Sequence, residues 1–100
     1  MSGSGDFSIG SKVWPGTSKL LEEMGELQQV LGKLIATHGE TNHWSGDLRA
    51  KLVEEMGDVY AALSFFEQRN LTVDEADAVD EREQRKLDTF NEWHDKPTLP

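Results

Sequence analysis

One hundred residues, 36% of them hydrophobic and with a net charge of −9, describe a single small domain with no room for a separate substrate domain. A pI near 4.6 argues against binding a nucleic-acid polymer through a basic face, and the absence of cysteine removes disulfides, thiolate metal sites and cysteine nucleophiles. Any metal must be held by oxygen or imidazole, and because a chain this short buries only roughly 60 to 65% of its unfolded surface, self-association is expected.

Residues 1–13 open Gly/Ser-rich, with Ser2-Gly3-Ser4-Gly5, and contain no long apolar run. They predict a flexible N-terminal segment rather than a signal peptide or membrane span, and with them a cytoplasmic protein that has no membrane partner. Residues 14–96 are expected to form one helical domain and residues 97–100 a short tail.

Within that domain the first helix is predicted from Thr17 to about His38. It follows the turn-like Trp14-Pro15-Gly16, takes Thr17 or Ser18 as its N-cap and stops at Gly39. Leu20, Met24, Leu27, Leu31 and Leu34 follow 4, 3, 4, 3 spacing, which at about 100° per residue marks one core-facing stripe. The second helix, from about Asp47 to Asn70, comes after the turn-rich residues 39–46 and repeats the pattern with Leu52, Met56, Val59, Leu63 and Phe66. These two helices are expected to pack as an antiparallel hairpin. Thr72-Val73-Asp74-Glu75 has the form of a capping box and opens a third helix to about His94. That helix would add Ala76, Val79, Leu87, Phe90 and Trp93 to the same bundle, its stripe interrupted at Glu83 and Lys86. The fold class is therefore all-α, a bundle of three to four helices completed by oligomerisation.

Lys19 to Leu27 and Lys51 to Val59 form an internal repeat with an offset of 32 residues, identical at six of nine positions and conservatively changed at three. Helical geometry sets Glu23 about 60° and Glu26 about 120° from Leu20 on the same side, flanking the stripe, and Glu55 and Asp58 stand in the same way to Leu52. In an antiparallel pair these two i, i+3 pairs converge. Four converging carboxylates repel unless a cation joins them, and an all-oxygen site suits Mg²⁺, with Mn²⁺ as the alternative. Asp74, Asp77, Asp80 and Glu83 also form i, i+3 acidic pairs, but lie in no such apolar frame and are expected to be a solvated face with favourable early-helix charge. Gly25 and Gly57 each cost a helix about 1 kcal/mol relative to alanine. Close approach of a helix or a subunit would explain their place inside the repeat.

The order Glu22-Glu23-x-x-Glu26 followed by Glu55-x-x-Asp58 resembles the Glu-Glu-x-x-Glu and Glu-x-x-Asp signature of the MazG-like nucleoside triphosphate pyrophosphohydrolases. The resemblance spans Trp14 to Asn70, with a fainter echo from Arg82 to His94. It implies an all-α, Mg²⁺-dependent enzyme, a homodimer or homotetramer, that hydrolyses (d)NTPs to the monophosphate and pyrophosphate. Carried over position by position, it makes Glu23, Glu26, Glu55 and Asp58 metal ligands and Glu22 the candidate catalytic base. Lys86, interrupting an apolar stripe, is the candidate cation for the phosphates unless it simply snorkels past the bundle edge. Trp14, Trp44 and Trp93 are candidates for stacking on the nucleobase; Trp14 is preferred for its place just before the first acidic helix, and Trp93 fits the core.

Three other readings compete. A non-catalytic acidic helical interaction module needs no metal, and phosphoribosyl-ATP pyrophosphohydrolases share a similar helical design. A di-iron bundle calls for Glu-x-x-His on helices, whereas the only such spacing, Glu40 to His43, falls in the turn-rich connection.

Overall fold

A computed structural model describes residues 5–96. It contains three helices, α1 (Thr17–Ala36), α2 (Leu48–Asn70) and α3 (Val73–Asp95), with a two-stranded hairpin, β1 (Asn42–His43) and β2 (Gly46–Asp47), between the first two. The helical fold expected from periodicity is present. The chain divides after Asn70 into two compact units, the first holding α1, the hairpin and α2, the second holding α3. Among the described residues no helix is long and apolar enough to cross a membrane.

Each helix start is secured differently. Neither Thr17 nor Ser18 caps α1: Gly16 occupies the N-cap in a left-handed conformation, without a side-chain cap. The Thr17 hydroxyl donates instead to the Trp14 carbonyl at 2.7 Å and that of Ser18 to the Phe7 carbonyl at 3.0 Å. These bonds, with Phe7 N–H to Val13 O at 3.0 Å and Gly16 N–H to Ser8 O at 2.9 Å, tie residues 5–16 down as a turn-rich cover over the start of α1. For residues 5–13 the composition predicts flexibility, because turns held by carbonyl acceptors leave no periodic signal; the turn expected at Trp14-Pro15-Gly16 is part of the same cover. Residues 1–4 and 97–100, the remainder of the expected flexible segment and tail, lie outside the described residues. At α2 the Asp47 carboxylate accepts from Arg49 N–H at 2.9 Å, and at α3 Thr72 and Glu75 form the expected capping box.

The helices of the first unit are antiparallel. Near the start of α1, Gly16 lies against Phe65, and the Asn70 amide donates to the Pro15 carbonyl at 2.9 Å; midway, the carboxylates of α1 and α2 meet. The seam differs from the expected stripe by one residue in alternate steps. Leu20, Glu23, Leu27, Val30 and Leu34 are at least half-buried on α1, as are Leu52, Glu55, Val59, Ala62 and Phe66 on α2. Met24, Leu31, Met56 and Leu63, read as core from the sequence, are exposed. Both 3, 4 and 4, 3 readings of the same leucines satisfy helical periodicity, and the repeat carries either one onto the other helix. The observed choice turns Glu23 and Glu55 from flanking positions into the seam itself.

α3 buries none of its residues. Val79, Leu87, Phe90 and Trp93, expected in a common core, are exposed.

Candidate metal centre

The offset of 32 residues becomes a local pseudo-twofold arrangement once the helices run antiparallel. Glu23 and Glu55 occupy equivalent seam positions, and Glu26 and Asp58 follow each by one turn. One ligand oxygen from each of the four lies within 4.8 Å of the others. The group expected from the repeat is therefore assembled by one chain, and it can hold a metal ion.

Electrostatics within the group is unfavourable without a cation. Glu55 is 3% exposed, its Oε1 lies 3.7 Å from the Lys51 ammonium, and its Oε2 has no hydrogen-bond partner. Burial, and then the charge of Glu26, push its carboxyl above the ordinary glutamate range, with Lys51 opposing. Glu26 is raised as well, first through its hydrogen bond with Glu23 and then through desolvation. A buried carboxylate with one unpartnered oxygen, gathered with three further carboxylates, could hold a cation. An all-oxygen donor set of this kind would suit a hard divalent ion.

Beside the carboxylates opens a cavity of about 590 Å³. It is lined by the carboxylates of Glu26, Glu54, Glu55 and Asp58, by Lys33 of α1 and Lys51 of α2, and by Ser45 to Asp47 of the hairpin. Gln29 also faces it. Anionic and cationic linings thus lie in one space, an arrangement suited to a phosphate ligand bridged to a divalent ion.

Glu22 and Trp14, in the same unit, stand outside this group. The exposed Glu22 is held by Lys19 at 2.7 Å and is not one of the four clustered ligands. Trp14 stacks on Phe66 with ring centroids 6.1 Å apart, near the Pro15–Asn70 bond, and does not line the cavity. Lys86 belongs to α3, its ammonium 5.8 Å from the Phe90 ring centroid, and Trp93 lies against Phe90 there. The close approach expected at Gly25 and Gly57 is not seen among the described residues of the first unit, where a Cβ on either would meet nothing within 4 Å.

Lys33 and Lys51 went unnoticed in the sequence although a signal existed. Lys33 follows Glu26 by seven residues, two turns along the same helix face, and Lys51 precedes Glu55 by one turn. The hairpin had no such signal, since two-residue strands carry no usable alternation. Searches against protein-family models, curated proteins and solved structures found no match for this chain.

Proposed function

We propose that this chain is a Mg²⁺-dependent nucleoside triphosphate pyrophosphohydrolase that converts (d)NTPs to (d)NMPs and pyrophosphate. The observation that carries the reading is the unpartnered Oε2 of buried Glu55 inside a four-carboxylate group, of which Glu26, Glu55 and Asp58 line a cavity that Lys33 and Lys51 also line. The resemblance of Glu22-Glu23-x-x-Glu26 and Glu55-x-x-Asp58 to the MazG-like signature supports the same chemistry.

Glu23, Glu26, Glu55 and Asp58 would hold the magnesium. When bound, it supplies a Lewis acid for phosphate oxygens and lowers the pKa of the attacking water. Lys51 and Lys33 orient the triphosphate by charge-assisted hydrogen bonds along the two helical walls. Glu22, one turn before Glu26, accepts the water proton; the water oxygen bonds to the α-phosphorus as the α–β bridging bond breaks and pyrophosphate departs. No covalent bond to the protein is required.

The active form is a homodimer or homotetramer. Val30, Leu48 and Ala62 are the only buried apolar residues among those described, while Leu21, Ile35, Val53 and Tyr60 join the exposed methionines and leucines of α1 and α2. A second copy of the chain would cover such surface.

The test is incubation with a panel of dNTPs and modified dNTPs, with and without Mg²⁺, resolving pyrophosphate from orthophosphate. Metal-dependent pyrophosphate is expected. Orthophosphate alone would exclude the α–β cleavage, and no turnover with retained structure would favour the non-catalytic interaction module.

A further inference from the structure

Ala76, Val79, Glu83, Lys86, Phe90 and Trp93 recur along α3 at 3, 4, 3, 4, 3 spacing, the pattern of a seam that packs against another helix. Val79, Phe90 and Trp93 are exposed, as is Leu87, which borders the seam one turn after Glu83. A seam broken at its middle by a glutamate and a lysine can be buried only against groups that answer both charges. Within the chain neither is answered. Glu83 and Lys86 stand at i, i+3, yet no ion pair among the described residues joins them or involves either one. The Lys86 ammonium lies instead 5.8 Å from the ring centroid of Phe90, its neighbour on the seam.

A second copy of α3, run antiparallel, answers both. With the twofold axis between Gln84 and Arg85, Glu83 faces the partner's Lys86 and Lys86 faces the partner's Glu83. The same register sets Val79 against the partner's Phe90 and Ala76 against the partner's Trp93, so each aromatic ring meets a smaller side chain. A slip of one heptad in either direction puts both charges against apolar side chains. A parallel pair puts like charges opposite one another in both charged layers. It also brings together residues 73–83 of the two copies, which carry six acidic side chains and one arginine.

We infer that α3 is a self-association helix, which pairs antiparallel with α3 of a second copy through reciprocal Glu83–Lys86 ion pairs. A charged layer costs stability relative to an apolar one and fixes orientation and register. The overlap from Ala76 to Trp93 covers about 26 Å at the helical rise, short enough for the pairing to depend on protein concentration. This surface is distinct from the exposed faces of α1 and α2, and the inference does not depend on the nucleotide reading of the metal centre.

The experiment is sedimentation equilibrium of the full chain over a dilution series, without nucleotide or metal. Glu83→Lys and Lys86→Glu each set like charges together across both charged layers, so each should halve the mass of the wild-type assembly while helical content by circular dichroism stays unchanged. The double exchange Glu83→Lys/Lys86→Glu should restore the mass, and so should an equimolar mixture of the two single variants. Because the chain has no cysteine of its own, oxidation of a mixture of Val79→Cys and Phe90→Cys reads the orientation. The mixed disulfide should form in preference to either homodisulfide. A monomeric wild type overturns the pairing, as do single variants that keep the wild-type mass, a double exchange that stays dissociated, or a preference for homodisulfides. No readout uses turnover, so loss of the pairing leaves the pyrophosphohydrolase reading standing, and a chain that hydrolyses nothing can still pair.

Discussion

The Lys51 ammonium sits 3.7 Å from Glu55 Oε1, and the same lysine reaches Glu54 at the same distance. It is the only cation within ion-pair distance of the clustered carboxylates among the described residues, so one exposed lysine faces a group carrying four potential negative charges. The imbalance makes metal binding, pH and stability aspects of one property.

Replacing Glu55 with glutamine should therefore stabilise the metal-free protein and remove its response to metal. Raised carboxyls on Glu26 and Glu55 mean that the folded chain holds protons more tightly than the unfolded one. Stability from this source is full below the unfolded glutamate value, about 4.3, and declines as pH rises through the raised folded values. Thermal melts in EDTA should show wild type losing ground to Glu55→Gln across that window. At neutral pH, Mg²⁺ at a hundredfold excess over Kd should restore about 2.7 kcal/mol to wild type and nothing to the variant. Parallel melting curves at every pH, with no metal response in either protein, would remove the metal centre.

Lys51→Met separates the two roles assigned to that lysine. Without its counter-charge the metal-free protein should melt earlier at pH 7, and saturating Mg²⁺ should recover most of the loss. KM for the triphosphate should still rise roughly tenfold or more, the scale of a lost hydrogen bond to a charged group. A variant whose KM matches wild type would confine Lys51 to balancing Glu54 and Glu55.

How much of this was legible in the residues is clearest at Glu23 and Glu55. The repeat identified both, and an antiparallel pairing was enough to bring them together with Glu26 and Asp58. Their depth was not legible. Choosing between Met24 and Glu23, or between Met56 and Glu55, as the seam residue is a rotation of one position that hydrophobicity decides wrongly, because the acidic group occupies the position the pattern would give to an apolar side chain. The hairpin at residues 42–47 escaped for a different reason: its pairing is made by backbone groups and a glycine at φ 126°, not by side-chain pattern. The cap at Gly16 likewise depends on a left-handed backbone, to which the neighbouring hydroxyls gave a misleading alternative.

Two glycines should respond in opposite directions. At Gly16, φ is +88° and an added Cβ would lie 2.8 Å from Phe65 Cδ1, so Gly16→Ala combines left-handed strain with a clash against a ring facing α1. A loss of about 1–2 kcal/mol from backbone strain alone is expected in urea unfolding. At Gly57 a Cβ meets nothing and the residue is helical, so Gly57→Ala should gain about 0.5–1 kcal/mol. A destabilised Gly57→Ala would instead place a second copy of the chain against that face of α2.

Glu22→Gln tests the base. Glu22 pairs with Lys19 at 2.7 Å, both side chains well exposed, and an exposed pair of this kind contributes little to stability after solvent screening. The variant should therefore fold with nearly wild-type stability and, lacking none of the four clustered carboxylates, keep its Mg²⁺ affinity. Removal of a positioned proton acceptor lowers turnover by roughly 10²–10⁴-fold, so kcat should fall on that scale with KM little changed. Lys19→Met serves as the control, since it breaks the same ion pair while leaving the carboxylate. If both variants retain wild-type kcat, Glu22 is only the partner of Lys19, and the proton must go to one of the four clustered carboxylates.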